Sequence, residues 1–215
     1  MEDNTRQELL NNEMVSKFVT RAAEYCTFVE NAGNFSKVDF VQKSIRLFSG
    51  IYADMANMPE IPNATESVNE KFVDENDWHR IYNQVNSKLG YHDDYVDVYD
   101  PVAKEDQDVS IVSLADNYAD IYQDIKDFVT LYSRGNEEVM ADALWECRMS
   151  FEEYWGPKML SALRTLHRLH FSEEDLSDEE QATNQQPESG DEDDQESRGG
   201  WLFEKTREQY KKKDQ

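Results

Sequence analysis

The sequence predicts an all-α protein: a single up-down-type bundle of about six helices, then a disordered acidic linker and a short C-terminal helix. Three observations predict it. Apolar residues recur with a helical period wherever any period is clear. Glycine and proline stops divide that pattern into helix-sized pieces. At Ser172 the composition collapses to Glu, Asp, Ser, Gln and Asn, which cannot bury enough apolar surface to offset chain entropy. The expected organisation is a bundle over residues 1–171, a spacer over 172–198 and a docking segment or tail over 199–215.

The elements follow in order. Leu10, Met14, Phe18, Tyr25 and Phe28 share one face of a first helix, with Gly33 as its C-terminal stop. Ser36 begins a second, with Asp39 three residues on in the manner of a capping box. Its stripe is Phe40, Val41, Ile45, Phe48, Tyr52 and Met55, closed by Pro59 and Pro62. A third helix is expected over 68–89, with Phe72, Trp78, Ile81, Tyr82 and Val85 in the core and Gly90 as its stop. Residues 91–110 are polar and acidic without sustained period. They read as a long loop with room for one short strand-like or 3₁₀ piece, a kind of loop often functional. A fourth helix spans 113–132 and a fifth 136–156. Pro157 suits the first turn of a sixth, which runs to His170.

Charge excludes some functions. The net charge is −24, and residues 1–171 alone hold 31 acids against 16 bases, a net of −15. Such a surface repels phosphate backbones and anionic lipid, so neither nucleic acid nor membrane is an expected partner. There is no run of 18 apolar residues, and Met1-Glu2-Asp3-Asn4 lacks the order of a signal peptide. Cys26 and Cys147 fall at apolar helix positions and read as small buried hydrophobes. The expectation is a cytoplasmic protein.

The most ordered constellation is on the fourth helix. Leu114, Tyr118, Ile121, Ile125, Phe128 and Tyr132 occupy one face, and Asp116, Asp120, Asp124 and Asp127 the opposite one. Clustered carboxylates suit Mg²⁺ or Ca²⁺, given a second helix that adds Glu152 or Glu153. The clean amphipathic split favours a solvated face instead, and no metal site is assigned. The acidic stretch Asp93 to Asp100 has the composition of a calcium loop without its glycine or closing glutamate. His167 and His170 lie three apart with no matching Cys or His pair for zinc, so they read as residues suited to a helix C-terminus. Trp145, Phe151, Tyr154 and Trp155 read as core, with Arg148 among them able to line a pocket. Nucleophile elbows, phosphate loops and dinucleotide fingerprints are absent.

Beyond the spacer, Trp201, Leu202, Phe203 and Tyr210 can share one side of a short helix with a basic end. A helix of about a dozen residues is marginal alone and needs a surface to dock on. The spacer's reach of about 30 Å holds the segment near the bundle at about millimolar effective concentration.

The motif Asp116-x-x-x-Asp120-Ile121-Tyr122-x-Asp124-Ile125-Lys126, then Trp145-Glu146-Cys147-Arg148, Trp155-Gly156 and Ala162-Leu163-x-x-Leu166-His167, resembles a bacterial family of small acidic helical proteins. That family is a domain of unknown function frequent in Bacteroidetes-type bacteria. The likeness spans residues 8–171 in layout and 113–167 in motif. It implies an all-helical single domain and points to Asp116, Asp120, Tyr122, Asp124, Arg148, Trp155 and His167 as binding candidates. The family pattern sets histidines on both sides of the Trp-Gly pair, where this chain has Tyr154 and Lys158, and an arginine at Gln123.

Two functions compete. The first is a non-catalytic interaction or regulatory module with a protein partner and a tethered C-terminal ligand. The second is a divalent-cation-dependent, nucleotide pyrophosphatase-like hydrolase using the carboxylate face, although the Glu-x-x-Glu and Glu-x-x-Asp pairs of such enzymes are missing. Cation binding without turnover is a third reading.

Overall fold

In the computed structural model, the helix Leu114–Tyr132 runs through the middle of the molecule and the other helices pack around it. The structure describes residues 2–61, 69–98, 109–134, 136–172 and 174–177. All of them belong to one compact unit, Met1–Asp178. The acidic spacer beyond residue 178 and the segment with Trp201, Leu202, Phe203 and Tyr210 lie outside the described residues.

The order is α1 (Glu2–Leu10), α2 (Glu13–Glu30), α3 (Lys37–Ala56), α4 (Glu75–Leu89), β1 (Asp94–Val98), β2 (Val109–Ser113), α5 (Leu114–Tyr132), α6 (Glu137–Ser150) and α7 (Gly156–Phe171). Side-chain caps start most of the helices. Asn12 accepts the Met14 amide, Ser36 the Asp39 amide, Asp74 the Asp77 amide, Ser113 the Asp116 amide and Asn136 the Glu138 amide, each satisfying a donor the helix leaves orphaned. Ser36 and Asp39 form the expected pair, the hydroxyl donating to the carboxylate at 2.7 Å.

Four expectations are corrected. The first segment is broken at Asn11–Asn12 into α1 and α2. Its end is Asn31, whose amide reaches the Phe28 and Val29 carbonyls, and not Gly33, which sits in a 3₁₀ turn. The third helix begins at Glu75, because Asp74 caps it and residues 69–73 run extended. The long loop contains a two-stranded antiparallel sheet, Asp94 opposite Ser113 through Val98 opposite Val109. Both faces of that ribbon carry apolar residues: Tyr95 and Val112 inward, Val96 (43% exposed) and Ile111 (52% exposed) outward. The alternation that would betray a strand is therefore weak. Finally, the fifth helix does not stop before the sixth. α6 passes through a π-helical turn, Phe151–Trp155, straight into α7. A β-carbon on Gly156 would lie 2.3 Å from the Phe151 carbonyl oxygen, so only glycine fits beneath that turn.

The core is aromatic where α2, α3 and α5 meet. Tyr25, Phe40, Phe48 and Tyr118 are all fully buried, with ring centroids 4.8–6.5 Å apart. Tyr25 donates its hydroxyl to the Tyr118 carbonyl at 2.9 Å. Each such ring contributes on the order of 1.5–3 kcal/mol of burial, and the hydroxyls need partners there. No helix among the described residues is long and apolar enough to cross a membrane.

Candidate functional site

The aspartate face of α5 is not a solvated face. Burial extends round the helix to Asn117, Tyr122 and Asp127, because α4, α6 and the π-turn pack over the side the sequence assigns to water. The four aspartates then part into two pairs.

Asp120 bridges α4 and α7. Its Oδ1 accepts the Trp78 indole N–H at 2.8 Å, and its Oδ2 accepts Lys158 Nζ at 2.7 Å. Trp78 stacks flat on Tyr82, centroids 5.5 Å apart and planes 9° apart. Lys158 Nζ lies 4.9 Å from the Tyr154 ring centroid. Tyr154 and Lys158 meet because residues four apart share a helix face, and Tyr154 lies within the π-turn, a device common at functional sites. One turn earlier on α5, Asp116 is exposed, and its carboxylate accepts no hydrogen bond among the described residues. Partial loss of hydration at the helix surface pushes its pKa up, and so do the Asp120 and Asp93 carboxylates. Burial and Asp120 also raise the Tyr154 phenol. Asp116 and Asp120 against Lys158 leave an uncompensated negative charge beside three aromatic rings.

The second pair lies deeper in the packing. The Asp124 carboxylate accepts the Ser150 hydroxyl at 2.7 Å. Burial raises its pKa above the usual carboxylate range, against the pull of Ser150 and Lys71. Asp127 is 2% exposed. Its Oδ1 accepts the backbone amides of Phe72 and Val73 at 2.8 and 3.0 Å, tying the extended segment before α4 across α5. Glu146 on α6 holds the same segment through Asn69 (2.7 Å) and Lys71 (2.8 Å). Arg134 pairs with Glu70 and covers the Phe72 ring.

The other candidates fall elsewhere. Tyr122 points into the α2–α5 contact, its hydroxyl donating to Glu30 at 2.8 Å beside Lys126. Arg148 reaches the Met55 carbonyl on α3 and pairs with Glu152 at 2.6 Å. Trp155 is fully buried against Phe151, so it is core. His167 is exposed and stacks on Phe171, which His170 also touches. Only Asp116, Asp120 and Asp124 line one strip. The residues missed by sequence reasoning are Trp78, Tyr82, Lys158 and Tyr154 around the first pair, and Lys71, Glu146 and Ser150 around the second. The one signal available was that Tyr154 and Lys158 flank the Trp-Gly pair four residues apart.

Asp93 is the N-terminal support of α5 and not part of a calcium loop. Its carboxylate accepts the Ala115 amide at 2.7 Å, the Ser113 hydroxyl at 2.6 Å and Asn86 at 3.2 Å, placing negative charge at the positive end of the helix. Glu152 and Glu153 are exposed and add nothing to the α5 aspartates. Among the described residues no three His, Cys, Asp or Glu side chains are placed to hold a metal ion. The thiols are buried and protonated, burial pushing Cys26 up to about 12 and Cys147 well above its usual value.

Comparison with known proteins gives two findings. The family model described as "Domain of unknown function (DUF5063)" matches residues 10–172. A crystal structure of protein BF1032 from Bacteroides fragilis superposes with a TM-score of 0.67 at 29% identity, over 77% of this chain and 98% of that one. No curated protein matches.

Proposed function

The chain belongs to that family, and from this premise we propose a cytoplasmic, non-catalytic interaction module whose recognition surface is the patch around Asp116 and Asp120. The partner is a protein segment presenting a lysine or arginine. One observation carries the reading: a carboxylate pair whose inner member is fixed by Trp78 and Lys158 and whose outer member, Asp116, is exposed, between the Trp78–Tyr82 stack and Tyr154. A cationic head placed there gains a charge-assisted bond from Asp116 and an aromatic face for its stem. Asp120, Trp78 and Lys158 already hold one another in place, so little ordering is needed on binding.

The test is titration of the full chain with a short arginine- and lysine-rich peptide, followed by Trp fluorescence and calorimetry. Binding should weaken with salt. Asp116→Asn should lower affinity about tenfold, the worth of one charge-assisted contact, while Asp39→Asn, far off on α3, should leave it unchanged. Equal losses in both variants would reduce the effect to net charge and sink the site.

The segment with Trp201, Leu202, Phe203 and Tyr210 enters the proposal as a second docking element, supported by its apolar-then-basic sequence alone. Deleting residues 199–215 and measuring partner capture and melting temperature tests it. If neither changes, it is a free tail.

A further inference from the structure

The downstream pair of aspartates borders a second site. Between α5 and α6, beneath the extended segment Asn69–Val73, lies a cavity of about 10 Å³ lined by Lys71, Asp124, Asp127, Glu146, Cys147 and Ser150 among others. That volume is about what one water molecule requires. Its chemistry is one-sided. Asp127 is buried, and while its Oδ1 takes two backbone amides, its Oδ2 meets no hydrogen-bond donor among the described residues. The nearest cation, Lys71 Nζ, stands 3.8 Å from Oδ2 and spends its bond on Glu146 at 2.8 Å. The Ser150 hydroxyl proton is spent on Asp124. The cavity wall thus places no donor within hydrogen-bond distance of Asp127 Oδ2, and a buried carboxylate oxygen without a donor carries the full cost of its lost hydration.

We infer that this cavity is a binding site for one internal water, which donates one proton to Asp127 Oδ2 and the other to the Asp124 or Glu146 carboxylate. Water fits where a metal does not. Mg²⁺ and Ca²⁺ each call for six or more oxygens, and no three ligating side chains among the described residues converge. A single water supplies two donors and can accept a bond from Lys71. The bound molecule completes Asp127, the residue that ties Phe72 and Val73 to α5, so it forms part of the fastening of that segment.

The experiment is a high-resolution crystal structure of the full chain, with a parallel manganese soak read by anomalous scattering. It is joined by magnetic relaxation dispersion of water oxygen on the wild type and on Ala143→Val. Ala143 is buried and lines the cavity, so the added methyls fill it without touching a carboxylate. The expected result is a density peak about 2.7–3.0 Å from Asp127 Oδ2, without anomalous signal, and one long-lived water fewer in the variant. An empty cavity, a Lys71 ammonium moved into contact with Oδ2, or a manganese peak would overturn the assignment. If Ala143→Val fails to fold, the crystallographic arm decides alone.

Discussion

The upstream and downstream halves of the acidic strip on α5 have the same residue type at nearly the same spacing and opposite circumstances. Asp120 accepts from an indole and an ammonium that lies over a phenol ring, and Asp116 one turn before it is exposed. Asp124 and Asp127 face a hydroxyl and two backbone amides under a strap. Donor type, not charge, separates them. Backbone amides come from a segment that must lie still to supply them, so the downstream pair stabilises the fold and is closed to partners. Indole and ammonium donors hold only the inner carboxylate and leave the outer one open. Chain position on a single helix separates a pair built into the packing from a pair whose outer member stays exposed.

The comparison breaks most visibly at Asp127. Replacing it with alanine orphans two amides, one of them buried, and frees the strap from α5. We expect a loss of about 3–4 kcal/mol, the sum of the desolvation of those groups, read as a lower urea midpoint. Asp127→Asn keeps an acceptor for the amides and should lose less than half as much. If Asp127→Ala costs no more than Asp120→Ala, the downstream pair is not the structural one.

Asp120→Ala comes second. It strips the partner from a half-exposed Lys158 and a partly buried indole, and surface-accessible groups recover water when left alone. A stability loss of about 1–2 kcal/mol follows, with a shift in Trp78 emission. Peptide affinity should fall further than stability does, because the proposed site loses both its fixed charge and the anchor for Trp78 and Lys158.

Much of this scaffold was legible in the sequence, and the limits were specific. The apolar stripes of α2, α3 and α5 and the Ser36–Asp39 cap are written in local spacing, which needs no knowledge of neighbours. The aspartate strip was legible as a cluster and misread as solvated, because period reports only that residues are polar, not what packs over them. Its partners lie far off in the chain: Trp78 is 42 residues from Asp120, and Phe72 55 from Asp127. Glu146, not Glu152 or Glu153, joins the aspartates, since the π-turn alters which side of the α6–α7 helix each residue takes. Asp74 looked like helix interior and is a cap, which turned five residues of expected helix into the strap.

The smallest effect discriminates best. Asp116 is raised above the ordinary aspartate range by partial loss of hydration and by the carboxylates of Asp120 and Asp93. Folding therefore disfavours its charged form. The folded state binds its proton more tightly than the unfolded chain does, so the stability it carries is present below the unfolded pKa. That stability is lost as pH rises through the raised value. Asp116→Asn cannot ionise and should escape that loss. At about pH 3 the variant and wild type should melt together, and at about pH 7 the variant should be equal or more stable by a few tenths of a kcal/mol, as for one relieved repulsion. A variant at Asp116 that lost stability at neutral pH would mean that this carboxylate has a structural partner after all, and the division of α5 into a supporting half and a recognising half would fail at its exposed end.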